Sequence, residues 1–372
     1  MKHFSGIDGL RAWLAWTVVL CHIFLLTAAD VRLPVLHKID NAADHAVSIF
    51  IIISGFVITH LIVEKKEAYL PYITRRFLRI YPVYAICLFF GIFATWLHVM
   101  AFAGNPWGQW VPEPDFLATQ SAVLQGNGLW QHLLAHITLL QGVIPNNFLL
   151  HSEYMFLGPA WSLSLEWQFY LVAPLVLFLL RYPWGKILVP VAVVVGYCAF
   201  MEGRLGDFES PAILPGAGLF FAVGMGTRLV IPKLPRLAAY PLAGAILAVG
   251  FIQMSHLLVP FAVWAAFVAW MKLDQPGDAV STRIKRLLDY AFCSTPMRYL
   301  GERSYSTYLV HYPLIHVISF VGIKLFGLGM WPTVLLTLVL APPLTLLTSI
   351  LLYKYVEAPT IAYGKRLFNE PP

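Results

Sequence analysis

Apolar runs close to 20 residues long recur from one end of the chain to the other, separated by short stretches that gather the charges and many of the prolines. A run of that length, wound as an α-helix, crosses a hydrocarbon layer about 30 Å thick. The pattern predicts membrane-spanning helices at approximately 9 to 29, 43 to 63, 82 to 103, 160 to 180, 186 to 201, 211 to 228, 238 to 253, 255 to 271, 303 to 325 and 331 to 354. Between the seventh and eighth of these, Gln253, Ser255 and His256 must form a very tight turn. The stretch Leu129 to Gln141 reads instead as a lumenal or re-entrant amphipathic helix. The fold class expected is all-α, a polytopic membrane bundle of about ten helices. Residues 1 to 366 form a single membrane-embedded domain, followed by a short cytoplasmic tail at 367 to 372.

Composition agrees that lipid is the solvent, because 59% of the residues are hydrophobic and only 12% are charged. The distribution of Lys and Arg then orients the bundle. With the N-terminus in the cytoplasm, clusters such as Lys65-Lys66, Arg75-Arg76, Arg283-Lys285-Arg286 and Lys365-Arg366 all fall inside, and the opposite side keeps Arg32, Lys38, Arg204 and Lys324. One helix more or fewer would put the later basic loops on the wrong side, so both termini are expected in the cytoplasm. The net charge of +6 belongs to these flanks and does not point to nucleic acid. The first span resembles a secretory signal in length, but an Arg and a His within it suit a permanent helix better. The four cysteines are scattered singly, without metal-ligand spacing, and no glycine-rich nucleotide loop or serine-hydrolase elbow is present.

Ionisable residues inside apolar runs are costly enough to be read first as functional. Arg11 and His22 lie on one face of the first helix, roughly 16 Å apart along its axis. In the fourth span Ser162, Glu166 and Tyr170 share a face beside Trp161, so Glu166 could take a proton, orient an imidazole or hold a sugar hydroxyl; stapling two helices together is the plainer alternative. In the ninth, Ser304 and His311 lie two turns apart with Tyr305 and Tyr308 between them, and His311 reads equally as a hydrogen-bonded strut. Arg75, Arg76 and Arg79 precede the third span. Arg75 and Arg79 align at i, i+4 and suit the phosphates of a ligand such as coenzyme A, although positive-inside topology or anionic lipid explains such clusters too. The segment 104 to 159 has no Lys or Arg but carries Trp107, Trp110, Glu113, Asp115, Trp130, His132, His136, His151 and Glu153. Aromatic faces with carboxylates suit a carbohydrate surface, as they also suit an interfacial belt.

Taken in order, these blocks resemble the acyltransferase 3 family of bacterial membrane O-acyltransferases. The resemblance rests on Asp8-Gly9-Leu10-Arg11 with His22 eleven residues after the Arg, on Phe50 to Phe56 with its Ser54-Gly55, and on Arg75-Arg76-Phe77-Leu78-Arg79. It continues through the blocks opened by Trp161 and Leu300 to Val356-Glu357-Ala358-Pro359, so that residues 8 to 366 are covered. The resemblance implies transfer of an acyl group, most often acetyl, from cytosolic acyl-CoA to a hydroxyl of a sugar handled at the outer face of the bacterial cytoplasmic membrane. It implies no metal, and partners limited to acyl-CoA, a glycan acceptor and membrane lipids. It assigns Arg11 to the acyl-CoA and His22 to the chemistry, and places Arg75 and Arg79 near the CoA phosphates. One departure is Ala46-Val47-Ser48, where family members commonly read Gly-Val-Asp; Asp44, one turn earlier, is the nearest substitute carboxylate. The expectation is a stand-alone membrane domain, without the extracytoplasmic hydrolase-like domain appended in some relatives.

The expected site therefore has His22 as general base with Arg11 and Glu166 as its catalytic company. Arg11, Arg75, Arg76, Arg79, Ser304, Tyr305 and His311 take the donor, and Trp161, Ser162 and Tyr170 the acceptor. Such a transfer needs a base for the hydroxyl proton and stabilisation of an oxyanion. A macrolide-type acceptor is the alternative within the enzyme class. A proton-coupled transporter, which also uses intramembrane His, Glu and Arg, would move substrate without an acyl product, and an idle scaffold would tolerate loss of His22.

Overall fold

In the computed structural model, residues 5–33, 36–230, 244–246, 248, 255–272 and 279–368 are described, and all regular structure among them is helical. The N-terminal part runs α1 (Ser5–Leu25), α2 (Ala29–Arg32), α3 (His37–Lys65) and α4 (Tyr69–Phe102). A region of short helices and loops follows, with α5 (Pro114–Leu124) and α6 (Leu129–Ile137). The chain then re-enters the bundle through α7 (Trp161–Leu179), α8 (Gly185–Met201), α9 (Leu214–Val230) and α10 (Ser255–Lys272). Two amphipathic helices, α11 (Ala279–Cys293) and α12 (Thr295–Glu302), lead into α13 (Ser304–Phe320), α14 (Met330–Leu352) and α15 (Ala358–Arg366).

Among the described residues six stretches are long and apolar enough to cross a membrane: Gly6–Leu25, Asn41–Lys65, Tyr69–Phe102, Gly158–Leu179, Ser304–Leu325 and Met330–Arg366. Three shorter apolar helices, Gly185–Met201, Leu214–Val230 and Leu257–Met271, match further expected spans. The expected span at 238 to 253, and the turn at Met254, lie for the most part outside the described residues. The chain is an integral membrane protein of helical class. α6 forms where the amphipathic stretch after residue 128 predicts it.

One element differs from expectation in a way that matters for the site. The arginine run before Pro82 was expected as a cytoplasmic approach to the third span, yet α4 begins at Tyr69 and carries Arg75, Arg76 and Arg79 within one continuous helix. Pro82 does not end it, because packed neighbours in a bundle can satisfy the carbonyl that a proline leaves without its partner.

Glycines let the helices around the site approach at backbone distance. α3 and α9 make the most extensive helix pair in the structure. A Cβ on Gly224 would lie 2.0 Å from the Ile52 carbonyl oxygen, and one on Gly55 would lie 2.5 Å from that of Phe221. At the other end of α1, a Cβ on Gly301 would fall 1.9 Å from the carbonyl oxygen of Asp8, so α12 docks directly on the turn that carries Arg11. Small residues at such contacts are what membrane helices use where no hydrophobic effect drives them together.

Candidate active site

Two cavities open between these helices, and their chemistry is opposite. The first, about 880 Å³ including its mouth, is lined by Arg11 of α1, Ser54 of α3, Arg76 and Arg79 of α4, Ser162, Glu166 and Tyr170 of α7, and Ser304, Tyr305 and Tyr308 of α13. Phe50, Leu163 and Phe221 supply an apolar wall, and Phe221 is held by a stack on Phe169 with ring centroids 4.0 Å apart. Among the described residues, three guanidinium groups thus share one small volume with a single lining carboxylate. That carboxylate, Glu166, accepts a hydrogen bond from Ser54 Oγ at 2.9 Å and a second from the Tyr170 hydroxyl. Ser304 is 1% exposed, and its Oγ, like Arg76 Nε, has no hydrogen-bond partner. Buried donors left without partners are costly, so this cavity suits a ligand that brings several acceptors and negative charge.

Arg75 is placed elsewhere. It pairs with Glu67, donates from Nε to the Gly364 carbonyl at 3.4 Å and lies over the Phe368 ring, tying α4 to α15. The i, i+4 alignment with Arg79 is real, but the cavity lies on the other flank of that helical stripe, where Arg76 and Arg79 meet at i, i+3.

The second cavity, about 1360 Å³ including its mouth, is lined by His22 and Cys21 of α1, by Asp44 of α3, by Glu113, Asp115 and Phe116 at the start of α5, by His151, Tyr154, Trp161 and Glu209, and by Tyr308 and Tyr312 of α13. Among the described residues its lining contains four carboxylates and neither Lys nor Arg. His151 is paired with Glu209, and that hydrogen bond raises its affinity for a proton. Just behind, burial pushes the Glu153 carboxyl up to about 7, while the Ser210 backbone amide donates to it at 3.1 Å and the Ser210 hydroxyl donates as well.

The tautomer of His22 is assigned from the hydrogen bonds around it. His311 places Nδ1 3.1 Å from the Thr307 carbonyl, which can only accept, so that nitrogen carries the proton and Nε2 is an acceptor. His22 Nδ1 lies 3.1 Å from the Val18 carbonyl and 3.1 Å from His311 Nε2, both acceptors, so it too is protonated. The basic lone pair of His22 is therefore on Nε2, on a ring that lines the carboxylate cavity. Orienting an imidazole is one of the roles that the sequence leaves open for Glu166. The orienting groups are instead His311 and a backbone carbonyl, and Glu166 lines the arginine cavity. His311, expected at the donor, does not line that cavity. Trp161, expected at the acceptor, lines the carboxylate cavity, whereas Ser162 and Tyr170, expected with it, line the arginine cavity.

Comparison with known proteins decides the class. The acyltransferase domain model of the acyltransferase 3 family matches residues 4–354. The chain belongs to the acyltransferase 3 family. Among relatives of this acyltransferase, a protein described as a membrane-bound transacylase, BcsY of Komagataeibacter xylinus, is 28% identical over 375 residues, covering 97% of this chain and 83% of the relative. The peptidoglycan O-acetyltransferase OatA of Listeria monocytogenes is 25% identical over 349 residues, covering 84% of this chain and half of the relative. Acyltransferase MdmB of Streptomyces mycarofaciens is 29% identical over 173 residues, 46% of this chain and 38% of the relative. No solved structure matches. The protein is an O-acyltransferase of the membrane. Among the described residues, no group of three or more His, Cys, Asp or Glu side chains is arranged to hold a metal ion.

Asp44, Glu113, Asp115 and His151 had been singled out along the sequence and are gathered by the fold into one cavity. Glu209 and Tyr312 had not. Glu209 sits in a polar loop between apolar runs and Tyr312 in an apolar helix, so neither carries a local signal; only the chain's return to the same cavity brings them in.

Proposed function

We propose that this acyltransferase moves an acyl group, acetyl in the simplest case, from acyl-CoA held in the arginine cavity to a hydroxyl of a carbohydrate held in the carboxylate cavity. The observation that carries this reading is the pair of chemically opposite cavities that share Tyr308 in their linings, with His22 lining the carboxylate one. Arg11, Arg76 and Arg79, with Ser304, offer donors to the CoA phosphates, for which guanidinium forks are well shaped. Arg75 acts on this cavity only by fixing α4. The aromatic and carboxylate groups of the second cavity suit the C–H faces and hydroxyls of a sugar, and OatA, by its name, acetylates peptidoglycan. His22 Nε2 takes the acceptor's hydroxyl proton as the oxygen attacks the thioester carbon, and returns it to the departing sulfur. The acceptor side faces outward across the bacterial cytoplasmic membrane, with both termini in the cytoplasm.

The test is ester-linked acetyl on surface and exported glycans, read by NMR before and after mild base, in a null strain complemented with wild type or His22→Ala. Acetyl restored by wild type alone is the expected result and also names the acceptor. Unchanged esters in every strain, with both proteins expressed, would overturn the glycan assignment.

A further inference from the structure

Tyr308 lines both cavities. It is 6% exposed, and its ring meets Phe50 edge-on with centroids 5.8 Å apart on the arginine side. Its hydroxyl closes a triangle of hydrogen bonds. Tyr308 Oη donates to the Pro159 carbonyl at 3.0 Å, Ser162 Oγ reaches the same carbonyl at 3.0 Å, and the two hydroxyls lie 2.9 Å apart. Two hydroxyls hold two protons, whereas the carbonyl needs one donor. Either hydroxyl can therefore turn its proton toward an incoming oxygen while the other keeps Pro159 satisfied, and no buried carbonyl is orphaned by the change.

If the thioester arrives from the arginine cavity and the attacking hydroxyl lies beside His22, the reacting carbonyl must sit where the two cavities meet. We infer that the Tyr308 hydroxyl, backed by Ser162, is the hydrogen-bond donor to the oxyanion of the tetrahedral intermediate, which makes Tyr308 a catalytic residue. This rests on the acyl-transfer reading above. As the acceptor oxygen bonds to the thioester carbon, its proton passes to His22 Nε2 and the carbonyl π pair moves onto oxygen, where Tyr308 donates to it. On collapse the pair re-forms the carbonyl, the carbon–sulfur bond breaks, and His22 gives the proton to the sulfur. The products are the ester and free CoA thiol. A donor fixed in a water-poor wall is worth more than the same group in solvent, and losing one such donor typically costs about 10²- to 10³-fold in kcat.

Membrane vesicles carrying the full chain, incubated with radiolabelled acetyl-CoA at varied concentration, report base-labile label in endogenous glycan. Acetyl-CoA binding to each purified variant is measured in parallel. Tyr308→Phe keeps the ring and is expected to lower kcat about 10²- to 10³-fold with KM for acetyl-CoA and its binding unchanged. Ser162→Ala is expected to lose less, because the phenol remains. Tyr308→Phe within twofold of wild type, while His22→Ala is inactive, would overturn the proposal and leave acyl transfer standing. So would a loss of activity matched by an equal loss of acetyl-CoA binding, which would make Tyr308 a wall of the donor site. If His22→Ala equals wild type, acyl transfer through His22 itself falls, and the oxyanion role falls with it.

Discussion

The proposed base, His22, has its Nδ1 within hydrogen-bond distance of a second histidine and a carbonyl rather than of a carboxylate. Because His22 Nδ1 has two acceptors, the Val18 carbonyl and His311 Nε2, loss of one leaves the other. His311→Ala is therefore expected to slow transfer by less than His22→Ala, whose cost should reach at least about 10²-fold. Both should leave acetyl-CoA binding intact, and equal rate losses in the two variants would contradict the ordering. The arginines divide in the same residue-by-residue way. Arg79→Met removes a cation from the arginine cavity and, on the proposed donor role of that cavity, is expected to raise KM for acetyl-CoA. Arg75→Met removes the tie among Glu67, Gly364 and α15 and is expected to lower the thermal midpoint while KM holds. Titrating acetyl-CoA against both variants, with a melting curve for each, separates the two.

Among elements, the α3–α9 contact depends on glycine at a few positions. Gly224→Ala forces a methyl against the Ile52 carbonyl, and overpacking of this kind costs about 1–3 kcal/mol. Gly226, two residues on, has nothing within 4 Å of its would-be Cβ. A lowered melting temperature for Gly224→Ala beside an unchanged or raised one for Gly226→Ala, where the helix gains an alanine in open space, is the expected pair of results. The loop over the carboxylate cavity is held by another device, through Glu153 on Ser210 and His151 on Glu209. Glu153 holds its proton more tightly folded, at about 7, than at its ordinary 4.5, so its contribution to stability falls as pH rises across that window. His151 is raised above its ordinary 6.5, so its contribution is present below that value and is lost as pH rises through the folded one. Both signs agree. Hydrogen exchange in residues 144 to 153, corrected for the intrinsic rate, should show more protection at pH 5.5 than at pH 8, and Glu153→Gln should shrink the difference to the part owed to His151; greater protection at pH 8 would reverse the assignment.

Across the whole molecule, the two cavities must open to different compartments if one takes a cytosolic donor and the other an external acceptor. In a chain whose four cysteines are replaced, Asp115→Cys should react with a membrane-impermeant maleimide added to intact cells, and Lys66→Cys only after permeabilisation. Labelling of both from one side would remove the transmembrane division of labour. The amino-acid sequence by itself determined the helical membrane class and most of its apolar helices, because burial in lipid demands long uninterrupted apolar runs that are visible one residue after another. It also exposed the costly residues, Arg11, His22, Glu166 and His311, since an ionisable group within such a run stands out locally. Which of them touch was decided by tertiary structure alone. Helical periodicity places residues on a face but does not say what that face meets. His22 found His311 across 289 positions of chain, Glu166 found Ser54 across 112, and Arg75 turned to α15 while its neighbour Arg76 entered the cavity. Contacts of that separation arise from how helices pack, and close packing at a few glycines sets that geometry without leaving a polar mark on the residues it brings together.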